Sequence, residues 1–323
     1  MRAGGVLGQV LSACVLLFAV VLFNFILLHA APGDPAEALA SATGGATKEI
    51  LEDIRRTYGL DRPLYQQFFF YLGNILRGDF GKSIYFNAPV AGLILERVPP
   101  TILLVGASLA VAATVGSLLG TLAAQKPNGL LSHAISILSL IGFSAPVFWT
   151  GIILLLVFAS WFPIFPVQAM TDPRISGGFF ARALDVAHHL VLPALTLSSV
   201  YLAQYSRLSR TSMIDALSAD YVRTARAKGL SERAVVYKHA LRNAILPIVT
   251  VVGVQVSHLL AGAVLVETVF GWPGMGRLAY ESILRRDAPL MLGILFFTAV
   301  LVIVANLVTD LVYRAIDPRI SAR

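Results

Sequence analysis

Long apolar runs, separated by shorter polar segments, cover most of this chain. Six of the runs are long enough to cross ~30 Å of hydrocarbon, for which a helix needs roughly 20 apolar residues. We predict spans at Val6–Leu28, Val98–Gln125, Ala134–Phe162, Val186–Ser206, Asn243–Val266 and Ala288–Thr309. The pattern therefore predicts an all-α integral membrane protein with six transmembrane helices.

Composition agrees with this class. The chain is 57% hydrophobic and only 13% charged, whereas a soluble domain carries about a quarter charged residues. The first apolar run is longer than the roughly 7–15 residues of a signal peptide core, so we expect it to be retained as a membrane anchor. The single cysteine, Cys14, excludes an intrachain disulfide and a site of several thiolate ligands.

The distribution of charge predicts an orientation. With both termini cytoplasmic, the inner segments hold 13 cations and 5 acids, and the outer segments hold 12 cations and 13 acids. Short loops rich in Lys and Arg stay on the cytoplasmic side. The basic residues therefore indicate topology and contact with membrane lipid, and we expect no nucleic-acid partner.

The same pattern divides the chain into three parts. Residues 1–28 form the N-terminus and first span, 29–97 form an extracytoplasmic loop region, and 98–323 form a core with the other five spans. Within the loop region we predict two helices, one from Thr47 to Gly59 and one over Leu64–Leu76. This region is either a folded cap on the outer membrane surface or a docking surface for a substrate-delivering protein.

The longest basic segment between two spans lies in the predicted cytoplasmic loop, at about 207–242. From Asp220 onward it has a helix–break–helix pattern, with Gly229 placed for a left-handed cap and Ser231 placed to begin the second helix. We predict a helical hairpin at the membrane face that docks a soluble partner.

Polar and helix-breaking residues within the spans are candidates for a transport path. Ser144 and Pro146 mark a predicted kink in the third span, which either lines the path or is a structural bend. Gln255, His258 and Gly262 share one face of the fifth span. Polar groups at this depth face either a water-filled path or another helix, through an interhelical hydrogen bond.

Three further patterns are predicted to have structural roles. Gly116 and Gly120 have the GxxxG spacing of closely packed membrane helices. His188 and His189 point about 100° apart on a helix, so they cannot face one metal ion together. Gly81-Lys82-Ser83 matches the end of a nucleotide-binding loop, but Leu76 stands where the first glycine of that loop is required. We therefore expect no nucleotide binding by this chain.

One stretch resembles a known family. Arg223-Thr224-Ala225, followed by Gly229, is similar to the EAA motif of ABC importer permeases, although Arg223 replaces the glutamate of that motif. The narrower resemblance is to permeases of the dipeptide/oligopeptide/nickel importer family. It rests on ARAKGL (225–230) followed by His239, Asn243 and Leu246-Pro247, on APGDP at 31–35 and on DPRI at 317–320.

The resemblance implies a type I ABC importer (MetI-like) permease fold in the bacterial plasma (inner) membrane. It implies four kinds of partner: a paralogous permease subunit forming a heterodimer, two ABC ATPase subunits, an extracytoplasmic solute-binding protein and membrane lipid. ATP and Mg would be bound by the ATPase subunits, with no cofactor, metal or catalytic residue in this chain. The implied ATPase-coupling residues are Tyr221, Arg223, Thr224, Ala225, Arg226, Lys228, Gly229, Leu230 and Ser231.

Within that set, Tyr221, Ala225 and Lys228 share a helical face by their spacing, and we expect small Ala225 to allow close approach of the ATPase. The alternative function is an ion-coupled secondary transporter or channel, disfavoured because no acidic residue lies well inside a predicted span. A membrane-bound enzyme is disfavoured because no catalytic constellation is present. The substrate stays open among dipeptides, longer peptides, nickel chelates and glutathione-like solutes.

Overall fold

A computed structural model describes residues 3–30, 47–58, 61–175 and 177–316. Side chains are described in these ranges except at 3–7, 10, 50, 53–54, 57–58, 253–254, 257, 261–262, 310 and 312–316. The described residues are helical apart from connecting turns and one isolated β-bridge between Lys82 and Pro89. The sequence motifs at 31–35 and 317–320 lie outside the described residues.

We number the helices in chain order. They are α1 Ala3–Ala30, α2 Lys48–Tyr58, α3 Leu64–Leu76, α4 Val90–Gln125, α5 Leu130–Ser144, α6 Val147–Leu155, α7 Phe179–Ser218, α8 Asp220–Ala227, α9 Glu232–Ala234, α10 Leu241–Val269, α11 Met275–Leu284 and α12 Ala288–Ile316. Two π-helical segments extend this set, Leu156–Trp161 after α6 and Val235–Ala240 before α10. The predicted all-α fold is confirmed.

Five helices in the described ranges are long and apolar enough to cross a membrane, and α5 with the α6 segment is a further pair bent by 105°. The bend lies at Ala145-Pro146, where a break was predicted. Proline restricts the preceding residue to extended backbone, and Ala145 has ψ 135°. Pro146 is the N-cap residue before α6, where its missing N–H costs no hydrogen bond within the helix.

Two helices are longer than the apolar pattern predicted. Helix α4 begins at Val90, not at Val98, and continues through Pro99-Pro100. Helix α7 runs over 40 residues and continues past the predicted end at Ser206 to Ser218. An apolar run measures only the part of a helix that lies in hydrocarbon, so polar turns that continue the helix into water are missed.

The chain divides into two compact units. The first contains Met1–Pro99 and Gly274–Val308, and its core is formed by Val90, Ile94, Met275, Leu278, Leu290 and Ile294. Asp287 organises its connecting loops, because its carboxylate accepts hydrogen bonds from Ser83 Oγ at 2.5 Å and from the Leu290 backbone N–H at 3.2 Å. The second of these bonds caps the start of α12.

The second unit contains Pro100–Pro273 and Thr309–Pro318. In it, α4 packs closely against α7 at the predicted GxxxG pair. A Cβ added to Gly120 would lie 2.3 Å from the Ser206 carbonyl oxygen, and one added to Gly116 would lie 2.9 Å from the Leu202 carbonyl oxygen. The helix-packing interpretation of this motif is therefore confirmed.

One hydrogen bond in the first unit decides whether the bent pair crosses the membrane. Asn24 Nδ2, near the C-terminal end of α1, donates to the Leu292 carbonyl oxygen, near the start of α12, at 3.1 Å. These two helix ends therefore lie on the same side, and an even number of crossings separates them. Since α4, α7 and α10 supply three, the bent pair supplies the fourth and is one of six spans.

Candidate functional site

The basic loop forms the predicted helical hairpin. Helix α8 ends at Ala227, and Gly229 follows with φ +75°. The Gly229 N–H donates to the Arg226 carbonyl at 2.9 Å and the Leu230 N–H donates to the Ala225 carbonyl at 3.4 Å. These two bonds form a Schellman motif, the usual glycine ending of a helix.

The second arm of the hairpin begins as predicted. Ser231 Oγ accepts a hydrogen bond from the Ala234 backbone N–H at 3.4 Å and so caps α9. A Cβ on Gly229 would have no heavy atom within 4 Å. Glycine is therefore required there by its left-handed backbone and not by lack of space.

The inner face of the hairpin is apolar and packs within the second unit. Val222 is fully buried and Ala225 is 5% exposed. They belong to a cluster that includes Ala124 of α4, Met213 and Ala216 of α7, Val235, Val236 and Ala240 of the π-helical segment, and Ala244 of α10. The prediction that Ala225 faces the ATPase is wrong, because the helix turns this small side chain toward α7 and α10.

The outer face carries the other predicted coupling residues. Tyr221, Arg223, Thr224, Arg226, Lys228, Gly229, Leu230 and Ser231 are all exposed. Tyr237, on the following π-helical segment, is 44% exposed beside them and was missed by the sequence analysis. No local pattern marks it, because the π-helical turn sets its direction.

An ion pair braces the hairpin across its turn. Arg226 Nη2 donates to Glu232 Oε1 at 2.7 Å, and Arg226 Nε donates to Oε2 at 3.2 Å. The hydrogen bond from Arg226 lowers the pKa of Glu232. The same contact raises the pKa of the Arg226 guanidinium. The two arms are thus linked by a two-pronged contact on an exposed surface.

The predicted path residues fall in different environments. Ser144 and Pro146 line an open apolar groove of about 680 Å³ at the α5–α6 bend, together with Leu140, Ile141, Phe148 and Trp149. His258 is exposed on α10. Gly262 lies on the same helix, but its surroundings are outside the described residues.

Gln255 differs from these residues because it is buried. Its Nε2 donates to Gln204 Oε1 of α7 at 2.7 Å. Of the two interpretations of Gln255, the structure shows the interhelical hydrogen bond. Gln255 and His258, which the sequence spacing placed on one face of α10, therefore differ: Gln255 is turned toward α7 and His258 is exposed.

The histidine pair and Ser83 of the glycine–lysine–serine stretch make contacts within the fold. His188 Nε2 lies 2.8 Å from the Ile164 carbonyl, and His189 Nδ1 lies 3.0 Å from Asp185 Oδ1. Among the described residues, no three His, Cys, Asp or Glu side chains are grouped to hold a metal ion. Ser83 is buried against Asp287, so its hydroxyl is used within the fold.

Two protein families match this chain over most of its length. Residues 116–322 match the family described as "Binding-protein-dependent transport system inner membrane component", and residues 5–105 match the N-terminal family of the same transport systems. The chain belongs to this family. The resemblance drawn from the coupling motif is therefore confirmed, and the chain is an integral membrane transport component.

Several relatives match over nearly their full length. The oligopeptide transport system permease protein AppB of Bacillus subtilis is 37% identical, covering 99% of both chains. The di/tripeptide transport system permease protein DppB of Pseudomonas aeruginosa is 40% identical, covering 94% of both. The dipeptide transport system permease protein DppB of Escherichia coli K12 is 36% identical, covering 93% of this chain and 94% of the relative.

A solved structure confirms the fold independently. A chain of the MetNI methionine ABC transporter, in an inward-facing conformation, matches 70% of this chain and 96% of its own length, with a TM-score of 0.55 and 16% identity. At that identity the likeness concerns the fold alone. It agrees with the permease fold predicted from the sequence.

Proposed function

We propose that this chain is a permease subunit of an ATP-driven importer for dipeptides, oligopeptides or similar solutes in the bacterial plasma membrane. The family assignment and the names of the three relatives support the transport class and the solute class. The proposal gives the chain no bond-breaking chemistry, since ATP and Mg would be bound by two partner ATPase subunits.

The observation that carries the proposal is the two-sided coupling hairpin. Its outer face combines three half-exposed apolar side chains, Tyr221, Leu230 and Tyr237, with the exposed cations Arg223, Lys228 and Lys238. Aromatic and arginine side chains dominate the binding energy of protein interfaces. An ATPase groove with an apolar floor and an acidic rim would complement this face.

The inner face of the hairpin supplies the mechanical link. Because Val222 and Ala225 pack with residues of α7 and α10, movement of the docked hairpin is transmitted to two spans. Close packing makes such a cluster behave as one body. ATP binding can drive this movement only if the two docked states differ in free energy between nucleotide conditions.

The remaining partners follow from the same assignment. We place both termini and the 207–242 loop in the cytoplasm, as the charge distribution predicts, and the 29–97 region outside, where an extracytoplasmic solute-binding protein delivers solute. A paralogous permease subunit would complete the heterodimer. The path would then run between the two permeases, past the groove at Ser144 and Pro146 and past α10 at the exposed His258. Gly262 would border the path by its spacing from His258, and Gln255 would lie behind it, bonded to α7.

The test compares variants of the outer face in the assembled importer. Leu230→Asp with Lys228→Glu should leave membrane insertion unchanged, and should abolish both co-purification of the ATPase and ATP-dependent peptide uptake into vesicles. Arg174→Glu is the matched control, because Arg174 is 92% exposed on a different loop. Normal ATPase binding by the double variant, or uptake by this chain without any ATPase, would refute the proposal.

A further inference from the structure

A cavity of about 480 Å³ lies within the first unit and has no role in the transport cycle proposed above. It is bounded by the end of α1, by α3 and the turn that follows it, and by the starts of α4 and α12. Its lining includes three apolar side chains, Leu28, Phe80 and Leu292, here called the floor, and three polar ones, Asn74, Asp79 and Lys82, here called the rim. The volume falls in the range of small-molecule sites, roughly 300–1,000 Å³.

The depth of this cavity is set by the spans that enclose it. Leu28 lies near the end of the Leu11–Ala30 span, and Leu292 lies near the start of the Ala288–Thr309 span. At 1.5 Å of rise per residue, both are within about 6 Å of the end of their span. Leu28 and Leu292 are therefore at the edge of the hydrocarbon, next to the layer of lipid headgroups.

The rim presents a cation and an anion on one ordered turn. The Asp79 backbone N–H donates to the Asn74 carbonyl at 2.9 Å, and Asp79 Oδ1 accepts the Gly81 N–H at 2.9 Å. Lys82 follows in the bridge with Pro89. Tyr71 also lines the cavity; burial raises its pKa to about 12, and its hydroxyl, which forms a hydrogen bond with the Asn24 side chain, stays neutral.

We propose that this cavity binds the headgroup of one aminophospholipid. The Lys82 ammonium would pair with the phosphate, and the Asp79 carboxylate would accept from the primary amine, with the Asn74 side chain beside them. The acyl chains would leave over Leu28, Phe80 and Leu292. This proposal takes one thing from the proposed function, the extracytoplasmic location of the 29–97 region. That location places the lipid in the outer leaflet.

The outward face of α3 supports a lipid as the occupant. Tyr65, Phe69 and Leu76 are 63%, 66% and 79% exposed, although the helix has only 13 residues and cannot span a bilayer. Its other face is held to α1 by the edge-to-face pair of Phe25 and Phe68, with ring centroids 5.4 Å apart. A short helix with exposed aromatic side chains, fixed at the end of a span, is suited to the membrane interface.

Binding can be measured on the full chain without transport. The assembled complex is purified, delipidated and titrated with phosphatidylethanolamine or with phosphatidylcholine of identical acyl chains, and bound lipid is counted by native mass spectrometry. We expect one phosphatidylethanolamine per chain. Phosphatidylcholine should bind more weakly, because its quaternary amine has no N–H to donate to Asp79.

Two variants and one control define the site. Lys82→Glu should weaken phosphatidylethanolamine binding by about fivefold, which corresponds to the upper range measured for loss of an exposed ion pair. Leu28→Trp, which fills the floor, should reduce the bound fraction while leaving the rim unchanged. Lys48→Glu, on α2 and absent from the cavity lining, should leave binding unchanged.

Three results would overturn the proposal. These are equal lipid binding by wild type and Lys82→Glu, equal affinity for the two lipids, and displacement of the lipid by stoichiometric free dialanine, which would identify a soluble zwitterion as the ligand. Loss of peptide uptake with intact, Lys82-dependent lipid binding would count against the proposed function and not against this site.

Discussion

Ala225 and Lys228 are three residues apart in the coupling hairpin and have different environments. Ala225 is 5% exposed within the apolar cluster, whereas Lys228 is exposed at the helix end. Burying an unpaired carboxylate costs several kcal/mol, while an exposed substitution usually changes stability by less than about 0.5 kcal/mol. Glutamate substitutions at Ala225 and at Lys228 therefore distinguish an effect on the stability of the fold from an effect on ATPase docking.

We predict that Ala225→Glu lowers the thermal stability of the purified chain and that Lys228→Glu does not. Both variants should lose ATPase association, the first because the hairpin is displaced and the second because the docking charge is reversed. Thermal unfolding and co-purification of the ATPase measure the two effects. An Ala225→Glu chain as stable as wild type would show that this face is not packed as described.

The hydrogen bond between the buried Gln255 and the half-buried Gln204 gives a second residue-scale prediction. Gln255→Leu should destabilise the chain by removing the partner of the half-buried Gln204 amide, and Gln204→Leu by removing the partner of the buried Gln255 amide. The double variant should recover part of the loss, with a coupling energy of about 0.6 kcal/mol, the average for interhelical hydrogen bonds in membranes. Additive single effects in a double-mutant cycle would argue against the pair.

Residue roles were predictable from the sequence only where they are local. The left-handed Gly229 and the Ser231 cap follow from a few neighbouring residues, and both predictions are confirmed. The burial of Ala225 depends on residues of α7 and α10 that are distant in sequence. The spacing of Tyr221, Ala225 and Lys228 predicted one shared helical face, whereas Ala225 is buried and Tyr221 and Lys228 are exposed.

Helix boundaries, too, were predictable where neighbouring residues determine them and were missed elsewhere. The break between α5 and α6 was predictable because Pro146 restricts the backbone wherever it stands. The π-helical segments and the start of α4 at Val90 were not predicted, since no local rule marks them. Close packing of α4 on α7 was predicted by the Gly116–Gly120 spacing and leads to a direct test.

We predict that Gly120→Ala destabilises the chain and that Gly106→Ala does not. The new methyl group would lie 2.3 Å from the Ser206 carbonyl oxygen in the first case, and would have no atom beyond its own stretch of helix within 4 Å in the second. Overpacking typically costs about 1–3 kcal/mol. Comparable unfolding temperatures for the two variants would contradict the close approach of α4 and α7.

The ion pair across the hairpin turn predicts a dependence on pH. Because Arg226 lowers the pKa of Glu232, the contact stabilises the turn above the ordinary carboxyl pKa of glutamate. Its contribution is lost as pH falls through the lowered value. Amide hydrogen exchange near Gly229, corrected for its intrinsic pH dependence, should rise in acid for wild type. Glu232→Gln should exchange faster already at neutral pH and show no further change in acid.

At the scale of the whole molecule, topology depends on how the bent pair is counted. If α5 and α6 together did not cross, α12 would begin on the side opposite the end of α1. The hydrogen bond from Asn24 to Leu292 excludes that arrangement, because the two helix ends would then be separated by the thickness of the bilayer. The apolar pattern predicted six spans, and this contact supports the same number once α4, α7 and α10 are each counted as one crossing.

Labelling with an impermeant thiol reagent in intact cells tests this count, after the native Cys14 is replaced. We predict labelling of Lys82→Cys and of Arg174→Cys, and no labelling of Arg226→Cys until the cells are opened. Each site is exposed, so a missing signal reports the membrane barrier and not burial. If the bent pair were a re-entrant loop, Arg174→Cys would be protected and Arg226→Cys labelled. Since Lys82 precedes the bend, its labelling is the same in both cases and serves as the internal control.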